Sequence, residues 1–115
     1  MHRDALCAAG LRAFGALALL LSLSSPAAAL PLISEVFYDA AGADAGQSFV
    51  ELYGTPGTDL TGVVVEGING ANGAVTDSVA LSGLIPADGL FVLASDVGDG
   101  TTLVQNADLI GRFDV

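Results

Sequence analysis

The 115-residue chain is poor in the side chains that most enzymes use for chemistry. It has no Trp, one Cys, one His and three Lys or Arg against 13 Asp or Glu, which gives a formal net charge of −10. The reactive side chains also lie near the start, at His2 and Cys7. The rest of the chain therefore offers no imidazole or thiol for a nucleophile–base pair or a soft metal site. These absences exclude most catalytic constellations, and the sequence alone identifies no reaction.

The first 29 residues have the features of a secretory signal peptide. Arg3 and Arg12 accompany an apolar run of eleven residues, 13–23, and three alanines that end at Ala29 offer the small side chains a signal peptidase needs. As an uncleaved anchor the run would be short, because eleven helical residues span about 16 Å, roughly half of a bilayer core. We predict cleavage after Ala29 and export to the periplasm, the cell surface or the medium, with no stable membrane insertion afterwards.

Cleavage would leave a strongly acidic domain, residues 30–115. Removing 29 of 115 residues leaves 86, with twelve carboxylates and Arg112 as the one basic residue. Such a surface disfavours binding to nucleic acid, because the phosphate backbone is negative too. It favours solubility and is compatible with divalent cations. Nucleic acid is therefore not an expected partner, and the composition does not identify which protein or cell-surface component the domain binds.

Short apolar segments separated by turn-forming residues follow one another through this domain. The segments predicted as strands are 32–38, 49–53, 60–68, 74–81 and 90–94, with two short apolar pairs at 103–104 and 109–110. Two Asn-Gly dipeptides in 69–73 give the strongest hairpin signal, because Asn-Gly adopts positive φ at low cost. The spacing of about ten residues and the absence of a helical period predict an antiparallel β-sandwich. Leu52 and Val92 are predicted to point into its core.

Four of these segments resemble, in order, motifs of the lamin tail domain family. They are 32–38 (LISEVFY), 49–53 (FVELY), 59–62 (DLTG) and 84–94 (LIPADGLFVLA), and the similarity extends over residues 32–113. The chain departs from the family pattern at Gly54, where Asn is usual, at Thr61, where Ser is usual, and at Ala87-Asp88, where the family has the first Gly of a pair. These departures lie in turns and leave the strand pattern intact.

The resemblance implies an immunoglobulin-like sandwich that acts as a non-catalytic module. Animal lamin tail domains contact nuclear partners, and bacterial relatives occur in exported proteins, often beside hydrolase or nuclease domains, with a role in adhesion or tethering. The family continues with further strands, and the chain stops at an apolar Phe113-Asp114-Val115 that would leave a bare edge. We therefore expect residues 30–115 to lack the last strands of the domain, as a fragment or with the edge completed by another chain.

Two functions follow as hypotheses. The first is an exported, non-catalytic module for binding or tethering at the cell surface. The alternative is the N-terminal fragment of a larger extracellular metal-dependent hydrolase, such as a nuclease or phosphatase.

Calcium is the one cofactor that the sequence brings into consideration. Asp96 and Asp99 place oxygen ligands at i and i+3 among glycines that allow a tight turn. The loop lacks the D-x-[DN]-x-[DN]-G pattern and its distal Glu, so an ordinary acidic turn is the favoured interpretation. Further carboxylates considered for the same ion are Asp39, Asp44 and Asp88.

Glu35 and Glu51 lie on neighbouring predicted strands and offer a potential acid–base or cation-binding pair. Without an imidazole or nucleophile nearby, a structural role in the sheet is favoured. Strand alternation predicts that Glu35 shares a face with Ile33 and Phe37, and that Glu51 shares one with Phe49 and Tyr53. The aromatic residues considered as a binding surface, but favoured as core, are Tyr38, Tyr53 and Phe91.

Overall fold

The described part of the protein is an all-β structure. The computed structural model describes residues 29–113, so the predicted signal peptide lies outside it apart from Ala29. The six strands are β1 (Leu32–Phe37), β2 (Phe49–Tyr53), β3 (Val64–Ile68), β4 (Val75–Ala80), β5 (Leu90–Ser95) and β6 (Leu109–Gly111). They form a four-stranded sheet in the order β1-β2-β5-β6 and a two-stranded sheet of β3 and β4. The predicted helix-free, two-sheet architecture is confirmed for residues 29–113. The same residues accordingly contain no helix that could cross a membrane.

The hydrophobic core lies between the two sheets. In β2 and β5 the register opposes Leu52 with Phe91 and Val50 with Leu93, and directly opposed residues of an antiparallel pair point to the same face. These four side chains are buried against residues from the second sheet and its flanking turns, Leu60, Leu81 and Ile85, with Val65 and Val79 partly buried. The prediction that Leu52 lies in the core is confirmed.

Two strand predictions differ from the structure. Residues 60–63 form a turn instead of the start of β3, because Asp59 Oδ1 accepts the Thr61 N–H at 2.9 Å and Gly62 adopts a φ of +90°. The other difference lies at β6, which runs parallel to β5, whereas the other strand pairs are antiparallel. A long connection, 96–108, returns the chain to the starting end of β5, and the apolar pair 103–104 within it is not a strand.

The predicted hairpin joins β3 and β4 at the two Asn-Gly dipeptides. The Asn69 N–H donates to the Ala74 carbonyl and the Gly73 N–H donates to the Asn69 carbonyl, both at 2.8 Å. Gly73 has a φ of +73°, whereas Asn72 does not have a positive φ. The loop is thus closed by a single glycine in the left-handed region and not by a two-residue Asn-Gly turn.

β1 forms one edge of the four-stranded sheet, and all six of its residues are exposed. A bulge shifts the register, which pairs Ile33 with Leu52 and then Glu35 with Glu51. Ile33 therefore shares the inner face of Leu52, whereas Glu35 points outward. The prediction that Glu35 and Ile33 share a face was wrong, because the bulge interrupts the strand alternation between them.

Candidate functional site

The outer face of the four-stranded sheet, opposite the core, carries a groove of about 680 Å³. Strands β1, β2 and β5 form its floor, and two loop segments form its sides. The side chains that line it are Glu35, Phe37, Gln47, Phe49, Glu51, Pro86, Asp88, Leu90, Val92, Leu103, Val104, Gln105, Asn106 and Asp108. Its volume lies within the range of ligand-binding clefts, about 300–1,000 Å³.

The floor of the groove is mainly apolar. Phe37 and Phe49 are opposed on β1 and β2, and their rings stack with centroids 5.8 Å apart and planes inclined by 17°. Leu90 and Val92 extend the apolar surface along β5. Aromatic and aliphatic side chains of this kind provide contact area for a ligand at little conformational cost.

Val92 belongs to this outer face, and the prediction that it lies in the core was wrong. The register opposes Val92 with Glu51, whereas the flanking Phe91 and Leu93 oppose the core residues of β2. The sequence of β5, LFVLAS, is apolar on both faces, so its own pattern does not show which set points inward.

One row of side chains across the sheet carries carboxylates at both ends. It runs from Glu35 on β1 through Glu51 and Val92 to Asp108, which lies beside Val92 immediately before β6. Three inter-strand spacings of about 4.8 Å separate the two ends by about 14 Å. The predicted pairing of Glu35 and Glu51 on neighbouring strands is confirmed by their register.

Hydrogen bonds orient three of the four carboxylates in the groove. Ser34 Oγ donates to Glu51 Oε1 at 2.8 Å, the Leu90 N–H donates to Asp88 Oδ1 at 3.1 Å, and the Val92 N–H donates to Asp108 Oδ2 at 2.8 Å. Because an ionised carboxylate has about four acceptor positions, each keeps capacity for a ligand.

One side of the groove is formed by the 102–106 segment of the β5–β6 connection. The Leu103 N–H donates to the Gly46 carbonyl at 2.8 Å, and Thr102 Oγ1 donates to the same oxygen at 3.1 Å. Gly46 is buried with a φ of +74°, and a Cβ at this position would collide with the side chain of Val97. A glycine at position 46 therefore allows the two loops to meet.

The calcium candidates Asp96 and Asp99 lie after β5, in the loop that the sequence predicted. Asp96 Oδ1 accepts the N–H groups of Gly98 and Gly100, at 2.6 and 2.8 Å, and Asp99 Oδ1 accepts the N–H of Thr101 at 3.0 Å. The bonds from Gly98 and Gly100, with a smaller contribution from Arg112, lower the pKa of Asp96 below its ordinary value. In this arrangement both carboxylates stabilise their own turn.

The other acidic residues considered for calcium are dispersed. Asp44 and Asp96 both border a smaller cavity of about 390 Å³, but Asp44 Oδ1 already accepts the Ala40 N–H at 3.0 Å. Asp88 lies at the groove. Within residues 29–113, no three His, Cys, Asp or Glu side chains come together in a way that could hold a metal ion. Calcium binding by Asp96 and Asp99 stays a prediction.

The three aromatic residues considered from the sequence have different environments. Phe91 is buried in the core, as favoured. Tyr38 and Tyr53 are 60% and 56% exposed, so the core assignment was wrong for both tyrosines. Tyr53 lies on the outer face of β2 with Phe49 and Glu51, and Tyr38 directly follows the exposed edge strand β1.

The sequence did not reveal that Asp88 and Asp108 share a groove with Glu35 and Glu51. The alternation of β2 already placed Glu51 with Phe49 and Tyr53, and a correct β5 register would have added Val92. The position of Asp108 depends on the path of the β5–β6 connection, which has no local sequence signal.

No family model, curated protein or solved structure matches the chain.

Proposed function

We propose that the protein is an exported, non-catalytic β-sandwich module that binds another protein at the cell surface. The exposed edge strand β1 carries this proposal. The motifs that resemble the lamin tail domain, together with the signal-peptide features, support the same interpretation.

β1 combines a free backbone edge with apolar side chains on both of its faces. It is the last strand of its sheet, so within residues 29–113 one side of its backbone has no neighbouring strand. Ile33 and Val36 point to the inner side but remain 60% and 44% exposed, because the core cluster has side chains from β2 and β5 and none from β1. A bare apolar edge of this kind pairs readily with a strand from another chain.

The expected occupant is a strand of a different protein, not a second copy. The chain has a net charge of −10, and charge far from zero opposes self-association. A strand added to β1 would continue the sheet and bring its own apolar residues over Ile33 and Val36. Main-chain hydrogen bonds would supply affinity, and these two side chains would supply specificity.

The test expresses the full chain and measures attachment, to washed cells of the organism that makes it, of the protein that is secreted. The double variant Ile33→Lys/Val36→Lys is expected to lower the cell-bound fraction about tenfold, which corresponds to about 1.4 kcal/mol. Lysine at an edge strand opposes strand addition while its long stem tolerates partial burial. Thermal unfolding of both proteins checks that the variant is folded.

A matched control changes two exposed apolar residues on the other sheet. Ile68 and Val75 are opposed on β3 and β4 and are 55% and 53% exposed, so Ile68→Lys/Val75→Lys makes the same chemical change away from β1. This control is expected to attach like the wild type. Equal loss in both variants, or none in the β1 variant, would contradict the role of the edge.

The non-catalytic and export parts have their own readouts. N-terminal sequencing of secreted protein is expected to begin at Leu30. Purified protein is expected to hydrolyse neither DNA nor a nitrophenyl phosphate ester, with or without divalent metal. Turnover that Glu35→Gln abolishes would favour the alternative, a piece of an extracellular metal-dependent hydrolase.

A further inference from the structure

We propose that the outer-face groove binds a cationic segment of a partner protein, with an apolar side chain seated between two basic ones. This site lies on a different surface from the β1 edge and does not depend on strand addition there. It assigns a ligand chemistry to the groove of about 680 Å³.

The two kinds of side chain in the groove select the chemistry of the ligand. The Phe37–Phe49 stack, Leu90 and Val92 provide an apolar floor, which favours an aromatic or aliphatic side chain. Carboxylates lie around this floor, with Glu35 and Glu51 at one end of the row and Asp108 at the other. A ligand that matches both the carboxylates and the apolar floor carries positive charge at its two ends and an apolar side chain between them.

The negative charge of the groove is not neutralised by the described part of the chain. The only basic residue among residues 29–113 is Arg112, whose Nη2 lies 3.9 Å from Asp96 Oδ2 and which does not line the groove. Glu35 and Glu51 are directly opposed, an arrangement of like charges that disfavours folding. A bound cation would convert this repulsion into attraction.

The dimensions of the groove favour a peptide over a single ion or a second copy of this chain. About 14 Å separate the strand positions of Glu35 and Asp108, too far for both carboxylates to contact one ion. In an extended peptide, residues i and i+4 lie about 13 Å apart on the same face, with residue i+2 between them. A second copy would bring a net charge of −10 to an already acidic surface.

The probe follows from this spacing: a capped peptide of sequence Ser-Lys-Ser-Phe-Ser-Lys-Ser, titrated into the full chain by calorimetry at low salt. Saturable binding with one peptide per chain is expected. Replacing the central Phe of the peptide by Ser is expected to weaken binding about tenfold, since the apolar floor then loses its partner. Replacing both Lys by Glu is expected to abolish it.

The protein variants separate a defined site from general attraction to an acidic protein. Glu35→Gln/Glu51→Gln is expected to weaken peptide binding about fivefold, because it removes both carboxylates that face one of the two lysines at a partly exposed end of the groove. The control Glu66→Gln/Asp77→Asn removes the same net charge from the second sheet and is expected to bind like the wild type. Far-ultraviolet circular dichroism confirms that both variants are folded.

Three outcomes would overturn the proposal: no binding by the wild type, equal weakening in both double variants, or equal binding of the Phe and Ser peptides. Equal binding of the Phe and Ser peptides would indicate that the acidic surface attracts any polycation and that the apolar floor makes no contact with the peptide. The Ile33→Lys/Val36→Lys variant distinguishes this site from the β1 edge, because it is expected to lose cell attachment and still bind the peptide.

Discussion

The two faces of the four-stranded sheet are formed by the same strands but have different roles. On the inner face, Val50, Leu52, Phe91 and Leu93 are buried against the second sheet. On the outer face the same strands present Phe49, Glu51, Leu90 and Val92 to a groove that solvent enters. Apolar side chains thus stabilise one face and form a surface available for binding on the other.

The difference between the faces arises from what covers each of them. The inner face is covered by a second sheet whose own apolar residues exclude water. The outer face is flanked by turns and by the 102–106 segment, which close its sides and leave the floor open. Carboxylates occur among the outer residues because there they remain hydrated, whereas a charge on the inner face would be buried without a partner.

The same substitution on opposite faces of β5 tests this contrast and has the largest expected effect. Leu93 has no exposed surface, so Leu93→Ala is expected to lower the free energy of unfolding by about 2–5 kcal/mol. Leu90 is only partly buried at the groove, and Leu90→Ala is expected to cost about 1 kcal/mol. Urea denaturation of both variants measures the difference, and equal losses would show that the outer face also acts as core.

The sequence predicted the inner face better than the outer one. The alternation in β2 correctly identified Leu52 as core and grouped Glu51 with Phe49 and Tyr53, because period-two patterning is a local property. In β5 the alternation is lost, and Val92 was assigned to the wrong face. The bulge at Ser34 likewise places Ile33 and Glu35 on opposite faces, whereas strand alternation predicts that they share one.

The missing half of the groove depends on tertiary structure. Asp108 and the 102–106 segment reach the outer face because β6 pairs in parallel with β5, which requires the connection to return across the sheet. A parallel pairing leaves no turn signal in the sequence, unlike the Asn-Gly hairpin between β3 and β4. Local patterns therefore predicted the β3–β4 hairpin and the two faces of β2, but not the side of the site that the crossover forms.

Gly46→Ala tests whether the side of the groove depends on the junction between two loops. At a φ of +74° an alanine is strained, and its methyl group would collide with the Val97 side chain. We expect a loss of about 1–3 kcal/mol in unfolding free energy and faster amide exchange at Leu103, whose N–H donates to the Gly46 carbonyl.

A matched glycine provides the control for this prediction. Gly57 has a similar φ of +82°, but its Cβ would meet no atom within 4 Å, so Gly57→Ala isolates backbone strain from the collision. It is expected to cost less than Gly46→Ala and to leave exchange at Leu103 unchanged. Equal effects on Leu103 exchange would show that the Gly46 junction does not hold the 102–106 segment.

The smallest expected effect has the opposite sign. Glu35 and Glu51 are directly opposed on the outer face, so Glu35→Gln removes a like-charge contact and is expected to raise the free energy of unfolding by about 0.2–1 kcal/mol. The gain should shrink between 20 and 500 mM salt, because salt screens exposed charges. Glu66→Gln is the control, since Glu66 opposes Ser78 and its replacement relieves no directly opposed charge.

A Glu35→Gln variant that is stabilised and also binds the cationic peptide less well would show that this face retains charge for binding at the expense of stability. A destabilised variant would show instead that Glu35 supports the sheet.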